Sequence, residues 1–230
     1  MLHGMREVGP LIASGRDSDI FAYGPDLVIR RSRRGRSMER EARVMQYVAA
    51  HGFPAPRVED VAAGGAELIM ERVDGRTMLD VLTSDASSAR THAETLAGLH
   101  RRLHEIPAPG WLERFLDGAG CVVHLDLHPL NVILSSRGPV LIDWTNARSG
   151  AGAADVAATW LVLVAAELPD AGALTTVRET FVREFVAHFD LAPVRAVLPA
   201  VAAWKCEDRN MRPDETAAIR RLAASESRGA

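Results

Sequence analysis

His124-Leu125-Asp126-Leu127-His128-Pro129-Leu130-Asn131, followed by Leu141-Ile142-Asp143-Trp144, decides how the rest of the chain is read. His124, Asp126 and Asn131 are spaced along a loop, and Asp143 closes an apolar run. Between them lie Val132-Ile133-Leu134, the polar turn Ser135-Ser136-Arg137-Gly138, and Val140-Leu141-Ile142, which together predict a hairpin. If the hairpin turns about Ser136 and Arg137, Asn131 and Asp143 stand nearly opposite each other on neighbouring strands. Directly opposed residues hold their Cβ atoms about 5 Å apart. An amide oxygen and a carboxylate so placed can share one hard cation. Magnesium needs few protein ligands of this kind, because phosphate oxygens and water complete its shell. Asp126 sits one loop upstream, within reach of an acceptor hydroxyl.

Working outward, the first third predicts a strand meander and a helix. Leu11-Ile12-Ala13, Ile20-Phe21-Ala22-Tyr23 and Leu27-Val28-Ile29-Arg30 are short apolar runs. Ser14-Gly15-Arg16-Asp17-Ser18 and Gly24-Pro25-Asp26 supply turns between them. Met38, Ala42, Met45 and Ala49 recur at helical spacing, with Ser37 as N-cap and Gly52 and Pro54 as stop signals. Val58–Val61 and Glu67–Met70 predict two more strands. Beyond Gly75 the pattern changes to helices over Ser88–Glu105, Asp155–Leu168, Leu174–Phe189, Val194–Lys205 and Thr216–Ala223. The expected fold class is α+β and bilobal. Residues 1–73 form a small N-terminal mixed β-sheet lobe with one helix, and residues 74–230 a larger helical C-terminal lobe.

Composition narrows the function classes. The chain has 230 residues, 47% apolar and 25% charged, which suits a packed globular protein rather than a disordered one. A net charge of −3 argues against a generic polyanion binder. Arg30, Arg31, Arg33, Arg34 and Arg36 form a basic run without interleaved aromatics, so no nucleic-acid partner is expected. Two cysteines far apart, Cys121 and Cys206, do not make a disulfide framework, and a reducing, cytoplasmic setting is expected. The most apolar stretch, Ala151–Ala166, contains Asp155 and falls short of the roughly 20 residues a bilayer span requires, so no membrane association is expected.

The spacing of His124, Asp126 and Asn131 matches the kinase catalytic loop, and Asp143 ends a strand where kinases place a magnesium-binding aspartate. H-L-D-L-H-P-L-N-V-I-L with L-I-D-W resembles the aminoglycoside phosphotransferase family, a kinase-like group acting on small molecules. The likeness spans most of the chain. E-R-E-A-R-V-M-Q-Y-V-A-A-H-G-F-P-A-P-R-V resembles that family's N-lobe helix and next strand, L-I-M-E-R-V-D-G its hinge, and L-A-G-L-H-R-R-L-H the helix before its catalytic loop. The resemblance implies Asp126 as catalytic aspartate, Asn131 and Asp143 as magnesium ligands, and Glu41 as the carboxylate bracing a phosphate-binding cation. That cation is usually lysine; here Arg30 is the best match. Ser14 and Gly15 fall in the phosphate loop, which lacks G-x-G-x-x-G. Glu71 and Val73 fall in the hinge, where Met70–Val73 would offer backbone groups to the base. Nucleotide is expected in the crevice between the lobes.

The expected activity is magnesium-dependent transfer of the γ-phosphoryl group of ATP (or GTP) to a hydroxyl of a small molecule, of aminoglycoside, sugar or amino-alcohol type. The alternative is a nucleotide-binding kinase-like scaffold with little or no turnover. A protein-kinase reading fits less well: His128 stands where lysine is common, and no A-P-E element follows Asp143. Other residues carry open readings. His100 and His104 have a metal-binding spacing but no nearby glutamate completes the motif, so packing or solvent exposure is expected. His124 is expected to hydrogen-bond backbone groups and so hold the loop, His128 to touch substrate or stabilise a turn, and Trp144 to pack in the core or wall the cleft. Asp155 braces the loop or caps a helix. A polycationic acceptor would need converging carboxylates; Glu207, Asp208, Asp214 and Glu215 are candidates, with Lys205, Arg209 and Arg212 close enough to neutralise them.

Overall fold

Apolar alternation and glycine turns account for the first strands of the computed structural model, which describes residues 7–15, 17–116, 120–166 and 173–226. Strands β1 (Val8–Ser14), β2 (Ser18–Tyr23) and β3 (Leu27–Ser32) form an antiparallel meander. Gly24 takes φ +72° in the tight turn that pairs Tyr23 with Leu27, a conformation that costs glycine little. Helix α1 (Glu39–Ala50) then leads to β4 (Val58–Ala62) and β5 (Glu67–Glu71). The five strands make one sheet in the order β1-β2-β3-β5-β4, with every neighbouring pair antiparallel. Leu27, Ile29 and Ile69 form a core cluster on it.

Helix α1 begins later than its sequence suggests. Met38 holds the N-cap position without a side-chain bond, and Ser37 accepts from the Glu39 amide at 3.3 Å. The buried face runs through Glu41, Ala42, Val44, Met45 and Val48, while Ala49 is exposed. Val44, Met45 and Val48 supply most of its apolar area, and a terminal alanine adds little to it.

Downstream come β6 (Arg76–Thr77), α2 (Met78–Ser84), α3 (Ala89–His104), β7 (Cys121–Val123), β8 (Val132–Ser135), β9 (Gly138–Leu141) and β10 (Arg148–Gly150). Four helices follow: α4 (Gly152–Ala165), α5 (Ala173–Val186), α6 (Leu191–Cys206) and α7 (Pro213–Glu226). Helix α2 and strands β6, β7 and β10 were not expected. The first had a readable signal: Thr77 and Asp80 form a capping box, with the Asp80 amide donating to Thr77 Oγ1 at 3.1 Å and the Thr77 amide to Asp80 Oδ2 at 3.2 Å. The expected end of the fourth helix at Leu168 lies outside the described residues. Asn131 and Asp143 were expected on paired strands. Asn131 instead closes a short 3-10 turn, Pro129–Asn131, before β8, and Asp143 lies two residues past β9.

The chain divides into two compact units, each with its own core. The first is Met1–Gly75 with Ser135–Thr145, and the second Arg76–Leu134 with Asn146–Ala230. The first therefore ends two residues beyond the expected boundary and takes in a second segment from far along the chain. That segment is held by the Leu141 amide donating to the Pro54 carbonyl at 2.9 Å and by an edge contact of Phe53 on Trp144, ring centroids 5.6 Å apart. Trp144 is fully buried and donates from Nε1 to the Leu141 carbonyl, which makes it a core residue. In the second unit α4 is buried almost all round and packs on α6 and α7, while α3 packs on α5. Among the described residues no single helix is long and apolar enough to cross a membrane.

Candidate active site

Strand alternation sends Arg30 and Arg31 to opposite faces of the sheet. Arg31 reaches Glu67 at 2.7 Å and lies over the Phe21 ring. Arg30 is buried and gathers four side chains: its Nη1 pairs with Glu41, its Nε donates to Ser18 Oγ at 2.9 Å, and its Nη2 donates to Asp143 Oδ1 at 3.0 Å and Thr145 Oγ1 at 3.2 Å. Thr145 Oγ1 also reaches Glu41 Oε2 at 3.1 Å and Asp143 Oδ1 at 2.9 Å, and the Trp144 amide donates to Glu41. Burial works against the Arg30 charge, but Glu41 and Asp143 outweigh it and raise its pKa further. Burial pushes the Glu41 carboxyl up, opposed by Arg30. Asp143 adopts φ +62°, a left-handed conformation that aspartate tolerates better than most residues.

Ser14 and Gly15 are brought into a different cluster. Ser14 Oγ donates to Asp19 Oδ1 at 2.6 Å, Arg33 joins both, and the Gly15 amide donates to the Ser18 carbonyl at 2.9 Å. The Arg33 contact holds the half-buried Asp19 carboxyl down to about 2. At the far side of the sheet, the amides of Glu71 and Arg72 donate to the carbonyls of Arg57 and Asp26, both at 2.8 Å, and the Glu71 carboxylate pairs with Arg137 at 2.8 Å. Val73 is half-buried beyond them.

The second unit carries the Asp126 loop. Asp155 is fully buried at the start of α4, and its Oδ1 accepts from the amides of His124 at 3.1 Å and Leu125 at 2.6 Å. Its Oδ2 meets His104 Nε2 at 3.0 Å and His100 Nδ1 at 3.4 Å. Burial alone would raise the Asp155 carboxyl; the two histidines hold it well below the usual range. His100 is anchored in turn through Thr159, whose hydroxyl lies 3.0 Å from His100 Nε2 and donates to the Leu127 carbonyl at 2.7 Å. With the loop pinned on both sides, Leu125 is held at φ +62° directly before Asp126. Strained positions of this kind persist where surrounding contacts over-determine them.

On that loop the Asp126 amide donates to His124 Nδ1 at 3.2 Å, and Asn131 Nδ2 donates to the Asp126 carbonyl at 2.9 Å. His128 Nε2 stands 3.3 Å from Asn131 Nδ2 and 3.7 Å from Asp126 Oδ2. Sequence reasoning missed one partner. Lys205, near the end of α6, is buried and donates from Nζ to Asp126 Oδ1 at 2.6 Å. Its neighbours in sequence are the acids that follow α6, Glu207 and Asp208, and its partner is far from them along the chain. Burial alone would raise the Asp126 carboxyl; the Lys205 charge, then the His128 contact, hold it well below the usual range. Of the expected acids, Asp214 pairs with Arg212 at 3.4 Å, and Glu215 is buried and accepts from the Arg212 amide at 2.9 Å. Cys121 is buried, and its thiol is pushed up to about 11, which leaves it inert near neutrality.

This loop and the residues flanking it fall within the match to a known family. The phosphotransferase enzyme family profile covers residues 9–113 and 108–197. The chain belongs to that family. Its fold is that of solved aminoglycoside phosphotransferases, which are kinase-like. APH(4)-Ia superposes with a TM-score of 0.68 at 16% identity, covering 96% of this chain and 94% of that one. ADP-bound APH(2'')-Ib gives 0.58 at 14%, covering 96% and 93%. An aminoglycoside-3'-phosphotransferase of type VIII gives 0.57 at 19%, covering 97% and 94%. No curated protein matches the chain. In this family member the α+β architecture is confirmed, with the N-terminal sheet antiparallel throughout.

Proposed function

We propose that the protein is a magnesium-dependent phosphotransferase that moves the γ-phosphoryl group of ATP (or GTP) to a hydroxyl of a small molecule. The observation that carries this is Asp126: an ionised carboxylate on a loop fixed by Asp155, with Asn131 tied to its backbone. Solved neighbours were obtained with ADP and with ATP and streptomycin, which supports a nucleotide donor.

The metal-binding donors suit the role. Asn131 spends Nδ2 on the Asp126 carbonyl and so keeps its amide oxygen for a ligand role, and the Asp143 side chain is 41% exposed. An amide and a carboxylate oxygen are the hard donors magnesium prefers. Bound there, magnesium would neutralise charge on the phosphates. Arg30, braced by Glu41, pairs with the α- and β-phosphates in this reading. Arginine binds phosphate in place of lysine with a planar, permanently charged fork. Ser14 and Gly15 line the phosphate loop, and the Glu71–Val73 segment meets the base. Because the Glu71 and Arg72 amides are already engaged, Val73 supplies the hinge amide. Asp126 Oδ2 orients the acceptor hydroxyl and takes its proton late, since positioning and electrostatics dominate this chemistry. With Lys205 on Asp126, and Asp214 and Glu215 committed to Arg212, a neutral or weakly charged alcohol is the favoured acceptor.

One observation favours a second reading, a nucleotide-binding scaffold without turnover: Arg30 itself holds the Asp143 carboxylate. A single experiment separates the two. Purified protein with magnesium and ATP or GTP is offered amino sugars, sugars and amino alcohols, and nucleotide consumption is followed. Transfer to one of them is expected. Nucleotide binding with no consumption across the panel would establish the scaffold.

A further inference from the structure

Lys205 is the side chain the phosphotransferase mechanism above does not use. It lies in the last turn of α6, where a cation is favoured by the helix dipole, yet its side chain is only 7% exposed. A buried ammonium is costly unless paired, and its partner here is the proposed catalytic carboxylate, at 2.6 Å. The Trp204 ring also faces its Nζ, at 5.6 Å from the centroid. An ammonium has three N–H donors, and the bond to Asp126 Oδ1 uses one. Asp126 Oδ2 is on the side of Asn131 and His128, so the two carboxylate oxygens have separate company.

We propose that Lys205 is a catalytic residue of the transfer: it fixes Asp126 through Oδ1 and gives a remaining N–H to the phosphoryl group as it reaches the acceptor oxygen. A group that meets Asp126 Oδ2 lies within about one side-chain diameter of Lys205, because both oxygens belong to one carboxylate. In the step, the acceptor oxygen bonds to the γ-phosphorus while the bond from that phosphorus to the β,γ-bridging oxygen breaks. The electron pair leaves with the nucleoside diphosphate. The acceptor proton passes to Asp126 Oδ2 and from there to solvent. Negative charge on the equatorial oxygens is met by a donor already fixed before reaction, which is where electrostatic catalysis is most effective.

The inference rests on the phosphotransferase reading. The test uses the full chain with magnesium, ATP and the best acceptor from the panel. Steady-state kcat and KM for ATP are measured for the parent, Lys205→Met, Lys205→Arg, Asp126→Asn and the double variant, with magnesium-ADP affinity by calorimetry. Lys205→Met should lower kcat by roughly 10²–10³-fold, the usual cost of removing one such donor, and leave KM and ADP affinity unchanged. Lys205→Arg keeps the charge and should lose less. In the Asp126→Asn background, Lys205→Met should lower kcat again. Parental kcat in Lys205→Met overturns the inference alone. No further loss in the double variant also overturns it, since Lys205 would then act only through Asp126. If Lys205→Met fails to fold, the double variant, which removes both charges of the pair, carries the comparison against Asp126→Asn. A parent that transfers to no acceptor overturns the phosphotransferase reading, and the role of Lys205 with it.

Discussion

Replacing Arg30 by alanine removes a guanidinium that holds Ser18, Glu41, Asp143 and Thr145 together. It leaves Glu41 buried without its ion partner, a change that typically costs about 3–5 kcal/mol. Arg30→Ala is therefore expected to melt well below the parent, and Glu41→Gln in the same chain should recover part of the loss. A thermal scan of the three proteins checks this; equal melting of parent and Arg30→Ala would contradict it. Asp143→Ala should weaken magnesium-nucleotide binding in calorimetry while leaving metal-free nucleotide binding less affected. Equal affinity with and without the carboxylate would remove Asp143 from the metal site. Asp126→Ala should lose turnover by roughly 10²–10⁴-fold, the usual contribution of a general base, and retain nucleotide affinity. Near-parental turnover would exclude the mechanism. At this scale legibility depended on locality. Asp126, Asn131 and Asp143 fall in one short stretch, and Arg30 was recognisable beside Glu41 because strand and helix are adjacent. Lys205 was not legible: its partner lies 79 positions away, while Glu207 and Asp208 offered nearer ones.

At the scale of elements, α3 and α4 meet through the Asp155 carboxylate and the rings of His100 and His104, and this contact carries a pH dependence. Asp155 titrates lower folded than unfolded, so its contribution is present above the ordinary carboxylate range and is lost as pH falls through the folded value. Burial holds His100 below its ordinary 6.5, so the unfolded chain takes up that proton first, and acid again favours unfolding. Both signs agree. The urea midpoint should fall as pH drops from 7 to 5 and fall faster below; a midpoint that rises on acidification would refute the assignment. The long helices were readable because their apolar faces repeat over several turns. Strands β7 and β10, of three residues each, were not, since three residues carry no period. Asp155 was legible as a brace or cap, but its grip on two loop amides depends on how α4 is placed against β7, which local pattern does not encode.

For the whole molecule, a change from strand to helix pattern is visible near Gly75, where the first segment of the first unit ends. The second segment of the first unit, Ser135–Thr145, is not, because a short hairpin strand carries no mark of which core it joins. That segment has a consequence during synthesis. The Arg30–Glu41 pair is made early, but Asp143, Trp144 and Thr145, which surround it, leave the ribosome only after much of the second unit's chain has emerged. At about 5–20 residues per second, the nascent first unit waits several seconds with its Trp144 cavity empty and a charged pair half-enclosed. A ribosome stalled just past Gly75 should therefore display a protease-sensitive chain, and one stalled far enough beyond Thr145 to clear the exit tunnel a resistant one.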